Sequence, residues 1–552
     1  MKKHSLFLIS LLSVFIFLLS IQTGKGQFHL IGTWEGVFME DFLAIIEFSA
    51  GDENQMEGNL KMFAGDNQIQ YDRIEAIELT NSKITFYVPA KETSFEGSFN
   101  DLNTKLSGQF VFPDGSKHAI RLNRKRSGKA RLEEFILLKE EKTDAEKLRT
   151  DLHFLYNSLK KHHPSLYTFT PKDSFNLLFD TINNEINSAL TLENFYFQTS
   201  KLTNAVGCSH TGVKLPSKYQ SFINEFGNHF PLRLFFKDGR AFYLSGILYN
   251  DSSINPGSEV LSINDKPVDQ IIKRMFFYIP SEGCNTTTKY HDLNKRFNKL
   301  FYFIDHSDEF KIKFHAKGAI KYKILSAIRL ADLDSAGAKG QNQNLVDFSY
   351  LNNRPLGLLK IRSFALKDME RFFFQLDSVF GDLKNTNTQN LILDIRDNSG
   401  GHPIFAAQLF SYLTDKDFVY FKMNEEIKDF EPLYNTMQPS RKRFSGKVFV
   451  LINGGCLSTT GHLISLLKFN TNAIFIGEEP GSSFSCNDFS MKVTLPNSGM
   501  VVNIPRTTFE TAVSGFTFCE PFPVDYPVTI KPIDVITGKD TYVKMVKAIL
   551  EE

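Results

Sequence analysis

A serine in the C-terminal third of the chain stands where it could act as a nucleophile. Residues 448–452 form an apolar run that predicts a buried strand, and Ser458 follows a short turn, just before a helical pattern that starts at Thr459. A serine at the start of a helix faces unpaired backbone N–H groups and the positive end of the helix dipole, which would stabilise an oxyanion. Serine is also a preferred N-cap residue, so the position could be purely structural.

A second strand end carries two adjacent glycines. The predicted strand 390–395, with the apolar run 391–393, leads into a polar turn that ends in Gly400 and Gly401, and another helical pattern follows. Glycines at such a turn let backbone N–H groups approach a ligand closely, as in phosphate loops and oxyanion holes. The turn does not match the phosphate-loop pattern G-x-x-x-x-G-K-[ST], which disfavours a nucleotide site. The alternative interpretation is a strand-to-helix turn that needs positive φ angles.

A histidine follows a helix in the N-terminal half. The pattern predicts a helix from about residue 192 to 205, capped by Thr191, and the short loop 207–212 comes after it. Glycines at both ends of the loop let the backbone turn sharply and present Ser209 and His210. Imidazole titrates near neutral pH, so His210 could take the proton of a serine hydroxyl. An ordinary turn histidine is the competing interpretation.

Together these motifs resemble the core of the tail-specific, or C-terminal-processing, family of serine peptidases. The segment 394–401, then Ser458, then Gly477 nineteen residues further on, follow the order of that family, and the resemblance extends over roughly residues 140–545. One style of catalysis in the family uses a lysine, and Ser483 fills that position here. The other, tricorn-like style uses serine, histidine and glutamate, and the chain resembles that branch.

The resemblance implies a role for each polar side chain. Ser458 would attack the carbonyl carbon, and His210 would act as general base and then protonate the leaving group. Glu520, which precedes a Pro-Asp type segment near the C-terminus, matches the glutamate of the tricorn-like members. It would orient His210 or the Ser209 hydroxyl, or close a Ser-His-Ser-Glu relay. No metal or organic cofactor is implied.

The resemblance also implies an oxyanion hole at the two strand ends. Its donors would be the backbone N–H groups of Gly400, or Gly401, and Thr459. The family often carries a glutamate three residues after the nucleophile, where this chain has Gly461.

Three of the five cysteines lie within two residues of an implied catalytic group. They are Cys208, Cys456 and Cys519. If the triad assembles, these sulfur atoms should lie near one another. Either two of them form a disulfide, or all three simply pack the floor of the site.

The coarse pattern predicts a multidomain α+β protein, since 552 residues exceed what one core normally serves. Short alternating strands open the chain, helices follow, a β-rich stretch resembles a PDZ module, and alternating strands and helices end it. The resemblance implies a ClpP/crotonase-like fold for this last part. The expected organisation is a signal peptide at 1–26, a small all-β barrel or sandwich at 27–125, a linker and helical segment carrying His210 at 126–225, a PDZ-like β module and connector at 226–345, and an α/β serine peptidase core at 346–552.

The N-terminus resembles an export signal. Lys2 and Lys3 precede an apolar run from Leu6 to Ile21, which is the layout of a secretory signal peptide. We therefore expect an exported protein, periplasmic or extracellular, with membrane contact only if this segment is retained as an anchor. The formal net charge of +1 provides no overall field for nucleic acid, and we expect none as a partner.

The sequence therefore predicts an exported serine-type endopeptidase that acts on peptides or unfolded proteins. Two alternatives stay open. One is a non-catalytic peptide- or lipid-binding relative that keeps the fold without a working site. The other is a serine esterase that uses the same nucleophile.

Overall fold

The computed structural model describes most of the chain, in segments separated by short gaps. The described residues are 31–39, 42–50, 56–64, 67–80, 82–100, 105–124, 128–247, 253–316, 318–330, 345–351, 356–365, 368–423 and 430–551. The expected signal peptide at 1–26 lies outside them. They belong to two compact units, one up to Glu134 and the other from Phe135 onward. Among the described helices, none combines the length and the apolar character that a bilayer-spanning segment requires.

The first unit is a closed barrel of eight antiparallel strands. Each strand pairs with the next, and β1 pairs with β8 to complete the ring. Side chains alternate between the interior and the surface, as in β5, where Ile84, Phe86 and Val88 are buried and their neighbours are exposed. Closure removes the free sheet edges, and of the two expected architectures the barrel is the one formed. The strands are β1 Gly32–Phe38, β2 Phe42–Ala50, β3 Met56–Ala64, β4 Asn67–Thr80, β5 Lys83–Val88, β6 Thr93–Phe99, β7 Lys105–Val111 and β8 Lys117–Arg124.

A helical segment connects the barrel to the rest of the chain. Helix α2 buries Leu148, Leu152, Leu155 and Leu159 on one face, as its 3.6-residue period requires. Helix α4 begins after Thr191, whose side chain accepts a hydrogen bond from the N–H of residue 194, as predicted. The elements are α1 Gly128–Glu140, β9 Lys142–Thr143, α2 Ala145–His162, α3 Lys172–Glu185, β10 Leu190–Thr191, α4 Leu192–Asn204, β11 Gly212–Lys214 and α5 Ser217–Phe226.

An antiparallel sheet with one short and one longer helix forms the next part. Its strands pair in the order β12-β13-β14-β16-β17, and β15 adds to β14. Helix α6 packs its apolar face on the core of this sheet through Ile271, Ile272 and Met275. The comparison of this part with a PDZ module stays a prediction. The elements are β12 Leu232–Lys237, β13 Arg240–Gly246, β14 Glu259–Ile263, β15 Lys266–Pro267, α6 Val268–Met275, α7 Thr287–Phe301, β16 Glu309–Ala316 and β17 Ala319–Ser326.

The C-terminal part is built on a sheet in which β19, β20, β21, β22 and β27 run parallel to one another. The order is β18-β19-β20-β21-β22-β27, with β18 antiparallel at one edge. The sheet is buried on both faces, since Leu391 and Leu393 pack into one cluster and Ile392 into another. The elements are β18 Val346–Tyr350, β19 Leu356–Ile361, α8 Met369–Asn385, β20 Asn390–Asp394, α9 Pro403–Ser411, α10 Glu431–Tyr434, β21 Lys447–Ile452, α11 Thr459–Asn470, β22 Ile474–Gly477, β23 Ser485–Asp488, β24 Met491–Thr494, β25 Val501–Ile504, β26 Thr507–Glu510, β27 Tyr526–Pro527, α12 Pro532–Thr537 and α13 Thr541–Ile549.

This topology brings the chemically interesting loops to one place. Strands β20 and β21 are parallel neighbours, so the turns that follow them emerge at the same edge of the sheet. Strand β11, directly after His210, pairs with β25 of the C-terminal part. Strand β23 pairs with β26 close by. The histidine loop is therefore hydrogen-bonded to the same part of the molecule that carries the serine.

Candidate active site

Ser458 occupies a strained turn between β21 and α11. Its backbone has φ 53° and ψ −126°, a region that residues other than glycine rarely adopt. Its side chain forms no helix-capping hydrogen bond, so the interpretation as an ordinary N-cap is wrong. The backbone N–H donates to Ser482 Oγ over 2.9 Å. A serine held in a sharp, strained strand-to-helix turn is the arrangement that presents a nucleophile in many hydrolases.

The two glycines after β20 lie directly against Ser458. A Cβ on Gly400 would come within 2.8 Å of Ser458 Cβ and 3.0 Å of the Thr459 nitrogen. Gly400 and Gly401 also have φ angles of 96° and 141°, so glycine is required at both for space and for backbone conformation. The Thr459 hydroxyl donates to the Gly401 carbonyl and joins the two turns.

The backbone donors beside Ser458 are not equivalent. The Gly400 N–H donates to Asn398 Oδ1 over 2.9 Å and is already engaged. The N–H groups of Gly401 and Thr459 donate to no other atom in the described part of the chain. Of the three predicted oxyanion donors, Gly401 and Thr459 are thus the ones free to bind a substrate oxygen.

His210 belongs to a chain of polar contacts that begins at Glu282. The Glu282 carboxylate accepts hydrogen bonds from the backbone N–H of Ser209, over 3.0 Å, and from the Ser209 hydroxyl. Ser209 Oγ lies 3.2 Å from His210 Nδ1. The contacts run from carboxylate to hydroxyl to imidazole, which is the order of a Ser-His-Ser-Glu relay.

The backbone explains why Glu282 lies beside this loop. The N–H of Gly283 donates to the carbonyl of Gly207 over 2.8 Å. Both glycines face the ring of Phe169, where a Cβ on Gly283 would come within 2.5 Å of a ring carbon and one on Gly207 within 2.9 Å. The two loops therefore pack through their backbones, and this places the side chain of Glu282 against Ser209.

Glu520 does not take the position that the sequence assigned to it. Its side chain is exposed and, among the described residues, forms no hydrogen bond or ion pair with Ser209 or His210. It lines a cavity of about 330 Å³ to which Glu282 also contributes. Glu282 is the carboxylate that contacts Ser209. No periodicity or motif marks Glu282, since its contact depends on two loops 73 residues apart.

Charge and burial oppose each other at His210. Burial by itself lowers the pKa of His210, but the contact with Cys208 and the carboxylates of Asp488 and Glu282 outweigh it and raise that pKa to about 9. The carboxylate of Asp488 lies 3.9 Å from His210 Nε2. Burial raises the pKa of Glu282, and its hydrogen bonds from Ser209 and the charge of His210 act in the opposite direction. A protonated imidazole is thus well stabilised here.

A sulfur atom lies between the serine and the histidine. Cys486 Sγ, on β23, is 3.5 Å from Ser458 Oγ and 3.8 Å from His210 Nδ1. Ser458 and His210 form no direct hydrogen bond with each other. One side-chain atom therefore separates the two groups that the sequence predicted to meet. Sequence reasoning attached no role to Cys486, because nothing in its neighbourhood indicates which strand reaches the site.

The cysteine pairing differs from the expectation. Cys519 forms a disulfide with Cys284, so pairing among Cys208, Cys456 and Cys519 is wrong. Cys208 and Cys456 are buried free thiols. Cys456 Sγ donates to the carbonyl of residue 395 beneath the two turns, so the alternative that the sulfurs pack the floor of the site agrees with the position of Cys456 but not with the disulfide of Cys519.

The comparisons with known proteins agree with this geometry. Residues 355–516 match peptidase family S41. The crystal structures of mature CPAF and of mature CPAF complexed with lactacystin share the fold; each has a TM-score of 0.54 and 14% identity and covers 73% of this chain, with 96% and 97% of the CPAF chains covered. No curated protein matches the chain. The matched segment contains Ser458 and both glycines of its turn, so the part of the chain that carries the candidate site is similar to the serine peptidases of family S41.

Proposed function

We propose that this peptidase cleaves peptide bonds by attack of Ser458, with His210 as general base held by Ser209 and Glu282. The observation that carries the proposal is the strained Ser458 turn, which holds the hydroxyl beside the free N–H groups of Gly401 and Thr459. The relay from Glu282 supports the choice of base.

The contacts suggest how the proton moves. When His210 Nδ1–H donates to Ser209 and the Ser209 hydroxyl donates to Glu282, the lone pair of the neutral imidazole is on Nε2. In this structure Nδ1 is the nitrogen nearer to Cys486 and Nε2 faces Asp488, so the imidazole has to reorient before Nε2 takes the proton of Ser458. The imidazolium that forms is stabilised by Glu282 and Asp488 and then protonates the leaving amine. Gly401 and Thr459 bind the oxyanion meanwhile.

The substrate is proposed to be an extended or unfolded segment of polypeptide. His210 and Asp488 line a cleft of about 820 Å³, together with Tyr278 and Arg296 from the preceding part of the chain. Because residues from both parts of the chain line this cleft, it suits an unfolded segment of polypeptide that can enter it. The lining includes the charged side chains of Arg296 and Asp488, which favours a peptide over a small ester.

The experiment that tests the proposal is labelling with a fluorophosphonate, followed by digestion of an unfolded, fluorescently labelled protein. We expect labelling and digestion by the wild-type chain and neither by Ser458→Ala. Ser465→Ala is the matched control, because Ser465 is a buried serine on helix α11, which follows Ser458, and its hydroxyl donates to the carbonyl of Gly461. A folded wild-type protein without label would indicate a non-catalytic binder, and turnover of esters alone would indicate an esterase.

We also propose that the protein is exported. The basic and apolar order of its first residues supports this, as does the Cys284–Cys519 disulfide, because such bonds persist in oxidising compartments. Cell fractionation followed by mass spectrometry of the N-terminus tests it. A protein found in the cytoplasm with residues 1–26 intact would contradict export.

A further inference from the structure

The base of the proposed relay is also part of a potential metal site. Cys208 Sγ, a ring nitrogen of His210 and a carboxylate oxygen of Glu282 all lie within 4.8 Å of one another. Thiolate, imidazole and carboxylate are the ligand types that zinc takes in proteins. We propose that these three side chains bind a zinc ion that reversibly inhibits the peptidase. The inhibition rests on the proposed role of His210, whereas binding of the metal does not.

The histidine and the glutamate are close to the spacing that a zinc ion requires. His210 Nδ1 lies 4.0 Å from Glu282 Oε1. Zinc bonds of about 2.0–2.3 Å place tetrahedral ligand atoms about 3.3–3.8 Å apart, so these two atoms have to approach by a few tenths of an ångström. The loops that carry them are already joined through Gly207 and Gly283.

Burial and access both suit a metal. Cys208 is only 1% exposed, so its sulfur points into the protein rather than into solvent. His210 lines the large cleft, which gives an ion a route from solvent. Three protein ligands leave one tetrahedral position for water, as in open zinc sites. The donor set selects against Mg²⁺ and Ca²⁺, which prefer oxygen ligands throughout.

Zinc at this position would stop His210 from acting as a base, because the metal would use the one lone pair that the imidazole has available. A neutral imidazole has one nitrogen lone pair available and one N–H. With the metal on Nδ1, that lone pair is in the zinc bond and Nε2 carries the hydrogen, so His210 has no pair left for the Ser458 proton. A Glu282 carboxylate bound to zinc would also no longer accept the hydrogen bond from the Ser209 hydroxyl in the same way. The Cys208 thiol loses its proton to solvent as the Zn–S bond forms, so zinc should bind more tightly as pH rises.

Binding is tested first in the full-length Ser458→Ala variant, which separates the metal site from catalysis. Titration with Co²⁺ should give the intense near-ultraviolet absorption of a cobalt–thiolate bond, and Zn²⁺ should displace it. Cys208→Ser should lose that band and weaken Zn²⁺ affinity by at least about 10- to 100-fold, since even outer partners of a ligand contribute that much. Cys456→Ser is the matched control, because it removes another buried free thiol that is not in the cluster.

Inhibition is then measured on the wild-type enzyme. We expect Zn²⁺ to abolish digestion by the wild-type enzyme, a chelator to restore it and Mg²⁺ to have no effect. The Cys208→Ser variant should keep most of the digestion rate that it has without zinc when Zn²⁺ is added. Absence of the cobalt band in Ser458→Ala, an unchanged band in Cys208→Ser, or activation by Zn²⁺ would each overturn this inference. A wild-type protein that binds the metal but takes no fluorophosphonate label would instead contradict the proposed function and the inhibitory role with it.

Discussion

At the scale of single residues, the site depends on which carboxylates surround His210. Glu282 contacts Ser209 from one side, and Asp488 faces Nε2 from the other. Both favour the protonated imidazole, and only the neutral form can act as a base. The catalytic rate should therefore depend on pH above the ordinary range of histidine.

The pH profile provides a prediction for Asp488. Because the pKa of His210 is raised to about 9, kcat/KM should rise with pH up to about 9 and then level off. Asp488→Asn removes one of the charges that raise this pKa, so the rise should move to lower pH. Glu510→Gln, on the paired strand β26, is the control and should leave the profile unchanged. A profile that is flat between pH 5 and 8 would argue against an imidazole base.

The choice between two glutamates provides a second prediction. Glu282→Gln keeps the size of the side chain but removes the charge that holds Ser209 and stabilises the imidazolium. We expect kcat to fall by about 10²- to 10⁴-fold, the range seen when the orienting acid of a triad is lost. Glu520→Gln should change kcat less than threefold, by our rough estimate from its exposure. Steady-state kinetics on the two variants measures both values of kcat. A larger loss in Glu520→Gln than in Glu282→Gln would show that Glu520 is the orienting glutamate, as the sequence predicted.

At the scale of elements, two strand-to-helix turns together form the site of the proposed nucleophile. The turn after β20 supplies glycines without side chains, and the turn after β21 supplies the strained serine. The two strands are parallel neighbours, so the turns are in contact by topology.

Gly400→Ala tests this contact. The new Cβ would meet Ser458 Cβ at 2.8 Å, and the φ of 96° disfavours any side chain. We expect labelling by a fluorophosphonate to slow by more than about 10²-fold, because the new methyl group would displace both Ser458 and the Thr459 N–H, and loss of one oxyanion donor alone has an effect of that size. Gly381→Ala is the control, because its Cβ would meet only the flexible end of Lys442, at 3.5 Å, and alanine favours a helix. Equal rates in the two variants would show that the turn tolerates a side chain.

The sequence predicts elements better than it predicts contacts between them. The strands β20 and β21 and the helix after Ser458 follow from local apolar runs and turn residues, and they lie where the pattern indicated. Glu282 and Cys486 could not be found in this way, because their positions depend on backbone packing at Gly283 and on the pairing of β23 with β26. The prediction of the cysteine pairing was wrong for the same reason. The Cys284–Cys519 pair forms because two loops far apart in the sequence pack together, and no local sequence pattern indicates that contact.

At the scale of the whole molecule, the chain separates into a barrel and a second unit that holds the proposed active site. Every residue of the proposed site, from Cys208 to Cys486, belongs to the unit that starts at Phe135. The barrel has its own closed ring of strands and its own core. Chemistry at the serine should therefore not require the barrel.

Residues 135–552 alone should still react with a fluorophosphonate, at a rate within about tenfold of the full chain, because all the contacts of the site are retained. The measurement is gel fluorescence after labelling, with circular dichroism to establish that the fragment is folded. Ser458→Ala in the same fragment is the control. A folded fragment that takes no label would mean that the barrel contributes to the site.

The Cys284–Cys519 bond has a topological consequence. It closes a covalent ring that contains Ser458 and excludes His210. A single cut of the backbone anywhere inside that ring leaves one molecule, while a cut outside it releases a fragment. Electrophoresis with and without a reducing agent therefore distinguishes internal nicking, including any that the enzyme inflicts on itself, from trimming at either end.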